Sequence, residues 1–177
     1  MNTYFIGDIH FDHTNIIKFC NRPFKTVEEM NQVLLKNWNG VITNEDKVYY
    51  LGDISFGRNC HEAKYWWDKL NGDKTLIMGN HDRFNEVKSF KNVRRNLYLQ
   101  FEDIKFELIH SPEYMYKKEK DRWVIHGHHH NNFPELYPLI NRKNKTINVS
   151  VEMINYKPLE LQELLELITT GDVTGKH

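Results

Sequence analysis

The amino-acid sequence predicts an α/β fold in which two β-sheets form a sandwich covered by helices. Apolar runs of strand length alternate along the chain with segments whose apolar residues recur at helical spacing, which favours helices packed on a central sheet. Two of the runs, after residue 97, follow each other closely, as the strands of an antiparallel hairpin do. A two-sheet α/β/β/α sandwich accommodates both the alternation and the hairpin.

The predicted strands are short apolar runs, and most of them end at a glycine or a polar residue. Strands that are buried on both faces are expected to read as such runs rather than as an alternating pattern. In chain order, the predicted strands are Thr3–Ile6, Lys47–Leu51, Thr75–Met78, Leu97–Gln100, Ile104–Ile109, Trp123–Ile125 and Ile147–Val151.

The longest predicted helix runs from Thr26 to Gly40. Its first residues, Thr-Val-Glu-Glu, fit a capping box, and its apolar residues recur every three or four positions. Shorter helices are predicted over residues 15–19 and 63–70, and the tryptophans of the second are expected to pack in the core. Pro158 is predicted to open the last helix, whose apolar face carries Leu161, Leu164, Leu165 and Ile168.

The composition is that of an ordinary globular protein. With 177 residues, one domain over residues 1–177 is expected. Lys plus Arg and Asp plus Glu both number 24, which excludes a strongly basic protein held to nucleic acid by bulk charge. The two cysteines suggest no disulfide framework. No apolar run approaches the ~20 residues of a membrane span, so we expect a cytoplasmic protein without a membrane segment.

Residues of the types that bind metals follow five of the predicted strands. Because ligands collect at the carboxyl ends of strands in α/β sheets, these side chains are expected to converge on one site. Two pairs of them are two residues apart and would point to the same side of an extended chain. The candidate ligands are Asp8, His10, Asp53, Asn80, His110, His128 and His130.

The number and type of these ligands indicate two metal ions. Two carboxylates, one amide oxygen and four imidazoles are too many for one tetrahedral zinc, but they suit two divalent ions that share a carboxylate. Mixed oxygen and nitrogen donors without thiolate favour Mn²⁺, with Fe, Zn²⁺ or Ni²⁺ as alternatives, over a calcium or thiolate site. Paired ions of this kind recur in the hydrolysis of phosphate esters.

The order of these motifs resembles that of the calcineurin-like metallophosphoesterase superfamily. The motifs are Asp8-x-His10, Gly52-Asp53, Gly79-Asn80-His81-Asp82, His110 and Gly127-His128-x-His130. The resemblance implies a two-sheet sandwich with a dinuclear centre. It implies that Asp8, His10 and His130 bind one ion, that Asn80, His110 and His128 bind the other, and that Asp53 bridges them. It also makes His81 the catalytic histidine and Asp82 the acidic residue that follows it.

The expected chemistry is in-line attack on phosphorus by a hydroxide that bridges the two ions. His81 would hydrogen-bond a phosphoryl oxygen or protonate the leaving oxygen, and Asp82 would orient a neighbouring histidine. His13, Asn15 and Arg58 are candidates for contacts with the substrate. Alternatively, the segment after His10 only caps the next helix, with Asp12 and Thr14 as capping residues, and Arg58 is a surface arginine.

The sequence leaves the substrate open. It departs from the Ser/Thr protein phosphatases, because Met78 stands where they carry arginine and Asp82 where they carry glutamate. A phosphodiesterase acting on a small or nucleotide-type diester is therefore the first hypothesis. A phosphomonoesterase is the second, and a non-catalytic scaffold or a structural metal site is less favoured. Nucleic acid is a conceivable substrate, although no basic binding surface is evident.

Overall fold

The structure is a computed structural model, and it describes residues 1–56, 61–115 and 119–170. Its strands are β1 (Thr3–Ile6), β2 (Lys47–Tyr50), β3 (Asp73–Ile77), β4 (Val93–Arg94), β5 (Asn96–Phe101), β6 (Ile104–Ile109), β7 (Arg122–His126), β8 (Ile140–Asn141), β9 (Thr146–Asn148) and β10 (Leu159–Glu160). Its α-helices are α1 (Ile16–Phe19), α2 (Val27–Asn39), α3 (Ala63–Trp67), α4 (Phe84–Val87) and α5 (Leu161–Thr170). A 3₁₀ turn covers Pro112–Tyr114.

The described strands form two five-stranded sheets, which confirms the predicted fold class. The first sheet has the order β10-β1-β2-β3-β4, and the second has the order β5-β6-β7-β9-β8. β1, β2, β3 and β4 run parallel, as do β6, β7 and β9, while β10, β5 and β8 pair antiparallel with their neighbours. The carboxyl ends of the parallel strands therefore lie along one edge of each sheet.

The residues of β1 show how the layers pack. Tyr4 and Ile6 belong to the core cluster under the helices, whereas Phe5, between them, belongs to a second cluster that contains residues of both sheets. Successive residues of a strand point to opposite faces, so both faces of this strand are buried. This burial explains why the strands read as continuous apolar runs.

The longest helix, α2, begins as the sequence predicts. Thr26 Oγ1 accepts a hydrogen bond from the backbone N–H of Glu29, at 3.1 Å, and so caps the helix. The Glu29 carboxylate accepts from the backbone N–H of Lys25, at 2.7 Å, one residue earlier than in a standard capping box. Met30, Leu34 and Trp38 form the buried face of the helix.

The end of the chain differs from the prediction. Ile147–Val151 was expected to contain the last strand, but β10 follows it and pairs antiparallel with β1. Pro158 therefore precedes a strand, and the last helix begins at Leu161. The short elements β4, β8 and α4 also carry no sequence signal, because two to four residues are too few to show a period. No helix of the described ranges is long and apolar enough to cross a membrane.

Asp46 stabilises the turn that precedes β2, and its contribution should depend on pH. Its carboxylate accepts hydrogen bonds from the backbone N–H groups of Asn2, at 2.7 Å, and Thr43, at 2.9 Å, and from the Thr43 hydroxyl, at 2.8 Å. The bonds from Asn2 and Thr43 lower the pKa of Asp46. A carboxyl group whose pKa is lowered by folding adds stability above its unfolded pKa, and this stability is lost as the pH falls through the folded pKa.

We therefore expect Asp46→Ala to lower the melting temperature at pH 7, by a difference that shrinks as the pH falls below about 4. Thermal unfolding from pH 7 to pH 2.5 measures this difference. Asp68→Ala is the control, because Asp68 forms an exposed ion pair with Lys64 that should contribute little. A gap between wild type and Asp46→Ala that stays constant down to pH 2.5 would contradict the expectation.

Candidate metal centre

The structure brings the seven candidate ligands together at the carboxyl ends of the strands. Asp8, Asp53 and Asn80 follow β1, β2 and β3 in the first sheet, and His110 and His128 follow β6 and β7 in the second. The candidate centre therefore lies where the strand ends of the two sheets meet.

One group of ligand atoms belongs to Asp8, His10 and His130, which are all buried. One ligand atom from each of them lies within 4.8 Å of the others. Both ring nitrogens of His10 are buried and have no hydrogen-bond partner within the described part of the chain. Burial and the neighbouring His130 lower the pKa of His10, which keeps its ring neutral and able to donate a lone pair.

A second group comprises Asn80, His110 and His128. Asn80 Oδ1 lies 2.9 Å from His110 Nε2 and 3.0 Å from His128 Nδ1, and the two ring nitrogens are 3.2 Å apart. The other nitrogen of His110, Nδ1, lies close to the backbone carbonyl of Leu51, at 2.6 Å, which orients the ring. Three ligand atoms thus face a common point from three strand ends.

Asp53 lies between the two groups. Its Oδ2 atom is 3.5 Å from His10 Nε2 and 3.4 Å from His110 Nε2. Burial raises the pKa of Asp53 to about 7, and the nearby Asp8 and Asp82 carboxylates add to this effect against the opposing influence of His110. One carboxylate oxygen therefore faces both candidate metal positions.

This arrangement fits divalent metal ions. The unpartnered nitrogens of His10 would otherwise be buried at a cost, and an ion would satisfy them. The donors are imidazole nitrogens and carboxylate or amide oxygens, which suit Mn²⁺, Fe or Zn²⁺. Among the described residues, the compatible groups include both Asp8–His10–His130 and Asp8–Asp53–His110.

Five of the seven candidate ligands have a left-handed backbone, which differs from the predicted extended chain. Asp8, His10, Asp53, His128 and His130 have φ angles of 59°, 54°, 62°, 70° and 51°. Residues other than glycine rarely adopt this conformation, and it is costly where it occurs. Asp8 and His10 still converge on one site, as do His128 and His130. They do so with a left-handed backbone at each of these residues and not with an extended chain.

Two glycines allow the carboxylates to approach the neighbouring backbone. A Cβ atom on Gly79 would lie 2.1 Å from Asp53 Oδ1, and one on Gly127 would lie 2.1 Å from Asp8 Oδ2. These glycines are therefore needed because the ligand carboxylates occupy the space of a side chain. The backbone N–H of His128 donates to both oxygens of Asp8, at 2.9 and 3.1 Å.

His81 lies beside the ligands but belongs to neither group. Its backbone N–H donates to Asp53 Oδ1, at 2.8 Å, and its ring centroid is 5.5 Å from that of His10 and 4.4 Å from that of Phe56. Burial and the nearby His110 lower the pKa of His81. The His81 side chain therefore lies at the edge of the candidate centre.

Among the residues that the structure describes, the Asp82 carboxylate bonds backbone N–H groups and no histidine side chain, which corrects the expected role. Its Oδ2 accepts from the backbone N–H groups of Asp53, at 2.9 Å, and Gly79, at 2.8 Å, and its Oδ1 accepts from that of Ile54, at 3.0 Å. The buried carboxylate thus ties the loop after β2 to the loop after β3. Its observed role is to position the backbone of these two loops.

The structure gives different results for the three residues that are predicted to contact the substrate. His13 lies near the centre, with its ring centroid 5.5 Å from that of His10, and burial and His81 lower its pKa to about 4. His13 and the exposed Asn15 both line an open cavity of about 1370 Å³. Arg58 lies outside the described residues. Their contacts with a substrate stay a prediction.

Asp12 does not cap the next helix, contrary to the alternative interpretation. Its Oδ2 accepts from Trp66 Nε1 and from the backbone N–H of His61, both at 2.8 Å. Its Oδ1 accepts from Asn31 Nδ2, at 2.8 Å. The Trp66 ring stacks on that of Phe11, with centroids 4.3 Å apart, which confirms the predicted packing role of this tryptophan.

The sequence analysis missed a buried network behind His130. Arg22 is 4% exposed and donates to the backbone carbonyls of Asp8 and Ile9, both at 2.7 Å. It also pairs with Glu152, with Nη2 and Oε1 2.7 Å apart, and His130 Nδ1 lies 3.1 Å from both oxygens of Glu152. Arg22 and Glu152 are 130 positions apart, so no local pattern could reveal their pairing.

Glu152 is expected to position His130 for metal binding. Burial opposes the charged ring, but hydrogen bonds with Cys20 and Glu152 raise the pKa of His130 to about 11, so a metal ion must displace the Nε2 proton to bind. A carboxylate that holds Nδ1–H leaves the Nε2 lone pair for a metal, and loss of such a partner typically weakens binding 10–100-fold. We expect Glu152→Gln to weaken Mn²⁺ binding by about this factor in calorimetric titrations.

The control for this prediction is Glu160→Gln, on β10 at the edge of the first sheet, which should bind Mn²⁺ like wild type. Equal Mn²⁺ affinity of Glu152→Gln and wild type would show that the carboxylate does not support His130.

The two-sheet fold with histidines and carboxylates at its strand ends defines a class of protein, the metal-dependent phosphoric ester hydrolases. A sequence profile of one such family, described as calcineurin-like phosphoesterase, matches residues 1–162. The chain belongs to this family.

Similar proteins include an uncharacterized protein of Methanocaldococcus jannaschii. It is 50% identical over 171 residues, which cover 96% of this chain and 93% of that protein. A solved structure of a protein of unknown function from Aquifex aeolicus is 30% identical, covers 94% of this chain and 99% of its own, and has a TM-score of 0.72. The E. coli phosphoesterase YfcE shares the fold at 14% identity, with a TM-score of 0.51 over 85% of this chain and 78% of its own.

Proposed function

We propose that this protein is a phosphodiesterase that uses two divalent ions, held by Asp8, His10 and His130 and by Asn80, His110 and His128, with Asp53 shared between them. The observation that carries the proposal is the position of Asp53 Oδ2, 3.4–3.5 Å from one histidine of each group. In a site for one ion, a carboxylate oxygen would not need to lie close to two separate groups of ligands. Two ions that share a carboxylate are the arrangement used for in-line displacement at phosphorus.

The residues of the chain prepare the site for this reaction. When bound, the two ions would supply Lewis-acid polarisation of the phosphoryl oxygens and activation of a water molecule. Asp82 holds the loops after β2 and β3 together, and the Arg22–Glu152 network fixes the loop after β1 and the ring of His130. The proposal gives His81 the role of hydrogen-bonding a phosphoryl oxygen or of delivering a proton to the leaving oxygen, which its position beside both ligand groups supports.

Two cavities adjoin the candidate centre, and this favours a diester over a monoester. One cavity, of about 1370 Å³, includes His13 and Phe56, which lie on the His10 and His81 side. The other, of about 600 Å³, includes Asn80 and His110 in its wall. A phosphodiester carries two alcohol arms, one for each cavity, whereas a monoester carries one. We further propose Mn²⁺ as the native ion, a small or nucleotide-type diester as the substrate, and a cytoplasmic location.

The test compares bis-p-nitrophenyl phosphate with p-nitrophenyl phosphate as substrates of metal-stripped protein, before and after Mn²⁺ is added back. The proposal predicts that Mn²⁺ restores cleavage of the diester and that the diester is the better substrate by kcat/KM. A clear preference for the monoester would replace this proposal with a phosphatase. Stoichiometric binding of two ions without cleavage of either compound would favour the scaffold hypothesis.

A further inference from the structure

The smaller of the two cavities combines residues of the candidate metal centre with a buried carboxylate and planar side chains. It shares Gly79, Asn80 and His110 with the candidate metal centre, so a ligand in it would reach the ions. Its volume of about 600 Å³ lies within the usual range for sites that bind small organic ligands. The rest of its wall is built mainly by β5, β6 and the start of β7.

A buried carboxylate forms part of this wall. Glu107, in the middle of β6, is 4% exposed and yet lines the cavity. Its Oε1 accepts a hydrogen bond of 3.3 Å from Asn96 Nδ2. Burial, the Glu107 charge and a hydrogen bond to the Glu107 carboxylate raise the pKa of the adjacent Tyr98. A carboxylate has about four acceptor positions, so Glu107 can also accept from a ligand. Within residues 1–56, 61–115 and 119–170, Glu107 forms no ion pair. A buried carboxylate in a cavity wall is an acceptor for a ligand that carries N–H donors.

Flat side chains stand beside this carboxylate. The guanidinium of Arg122 lies over the Tyr98 ring, with its Cζ atom 4.5 Å from the ring centroid. The ring of Tyr114 is 62% exposed, and its centroid is 6.5 Å from that of His128, a candidate metal ligand. Tyrosine rings and arginine planes are the surfaces on which nucleobases stack.

The charged side chains in the wall of the cavity balance each other, because two are acidic and two are basic. Its wall carries the acidic residues Glu107 and Glu119 and the basic residues Arg95 and Arg122, and Arg122 pairs with Glu119 at 2.9 Å. A balanced wall does not select an additional phosphate or carboxylate. It suits the neutral arm of a diester whose charged group lies at the metal centre.

We propose that this cavity binds the guanine base of a nucleotide phosphodiester, with Glu107 as the residue that selects guanine. Guanine presents two adjacent N–H donors, N1–H and the N2 amino group, to the two oxygens of one carboxylate. Hypoxanthine keeps only the first donor, and adenine presents a lone pair at N1, which a carboxylate repels. This inference rests on the proposed phosphodiesterase function, because the base is placed by a phosphate at the metal centre.

The test measures the binding of GMP, IMP and AMP to the Mn²⁺-loaded protein by isothermal titration calorimetry. The three nucleotides share the same phosphate and ribose, so differences in Kd report on the base alone. We expect GMP to bind more tightly than IMP and AMP to bind most weakly, with at least about 10-fold between GMP and AMP. Equal affinities of wild-type protein for the three nucleotides would overturn the proposal without the need for any variant.

Glu107→Gln identifies the residue responsible. It keeps the shape of the side chain but replaces one acceptor with a donor, and we expect it to weaken GMP binding about 10–100-fold while AMP binding changes little. Glu119→Gln is the matched control, because Glu119 lines the same cavity as an exposed carboxylate, and it should keep the preference for GMP. An equal loss in both variants would show a general effect of charge and would contradict selection by Glu107.

Turnover of bis-p-nitrophenyl phosphate by the same preparations separates this inference from the proposed function. This diester has no base, so its cleavage by wild-type protein tests the metal centre independently of any preference for guanine. A GMP preference that depends on Glu107 in a protein that cleaves no diester would support the base site and refute the phosphodiesterase. Diester cleavage without any preference among the nucleotides would support the phosphodiesterase and refute the base site.

Discussion

Replacing Asp53 with asparagine is expected to reduce kcat/KM for bis-p-nitrophenyl phosphate by about 10³-fold or more. Asp53 Oδ2 faces His10 and His110 at 3.4–3.5 Å, and a neutral amide there would remove the shared negative charge between two ions. Metal ions contribute several kcal/mol of transition-state stabilisation in such reactions, and each 1.36 kcal/mol corresponds to a tenfold change in rate.

The measurement pairs kinetics with the metal content of the purified variant. Asp53→Asn should hold fewer than two ions per chain at Mn²⁺ concentrations that saturate wild type. Asp68→Asn removes an exposed carboxylate at the end of α3 that is not a candidate ligand, and it should match wild type in both readouts. An Asp53→Asn protein that retains two ions and normal turnover would show that this carboxylate is not shared.

Replacing His81 with alanine is expected to reduce diester cleavage by about 10²–10⁴-fold while the protein keeps both ions. The His81 ring belongs to neither ligand group, and its link to Asp53 is made by the backbone N–H, which alanine retains. The loss should therefore appear in kcat, with metal content unchanged. Phe84→Ala, which removes an exposed ring from α4, serves as the control.

The leaving group distinguishes the two roles of His81. If the ring protonates the leaving oxygen, His81→Ala should harm alkyl diesters far more than nitrophenyl diesters, because p-nitrophenolate leaves without protonation. If the ring instead holds a phosphoryl oxygen, the loss should be similar for both substrates. Unchanged kcat for both substrates would remove His81 from the reaction.

Much of the fold followed from local patterns in the chain. The runs that became β1, β2 and β3 are apolar because residues of both core clusters alternate along these strands, and burial of that kind is visible in a single sequence. The capped start of α2 was equally local, since Thr26 and Glu29 are three residues apart. The strand β10 was not visible, because only its pairing with β1 makes two residues into a strand.

The candidate ligands could also be identified from local patterns in the sequence. The backbone geometry that holds them could not. Each of them follows a buried run, so the rule that ligands gather at strand ends was enough to group them. The extended backbone expected for Asp8 and His10 was wrong, because both residues are left-handed, with φ angles of 59° and 54°. The role expected for Asp82 was wrong because its partners, the N–H groups of Asp53 and Ile54, lie about thirty positions earlier in the chain.

The sequence by itself determined the class of fold, the family and the set of residues that could hold metal ions, since all of these depend on residue type, order and short spacing. Only the tertiary structure decided that Asp53 faces both ligand groups, that Arg22 and Glu152 support His130, and that a cavity containing Glu107 opens beside the centre. These features join residues that are distant in the chain, and their contacts arise from the packing of the two sheets, which no local pattern encodes.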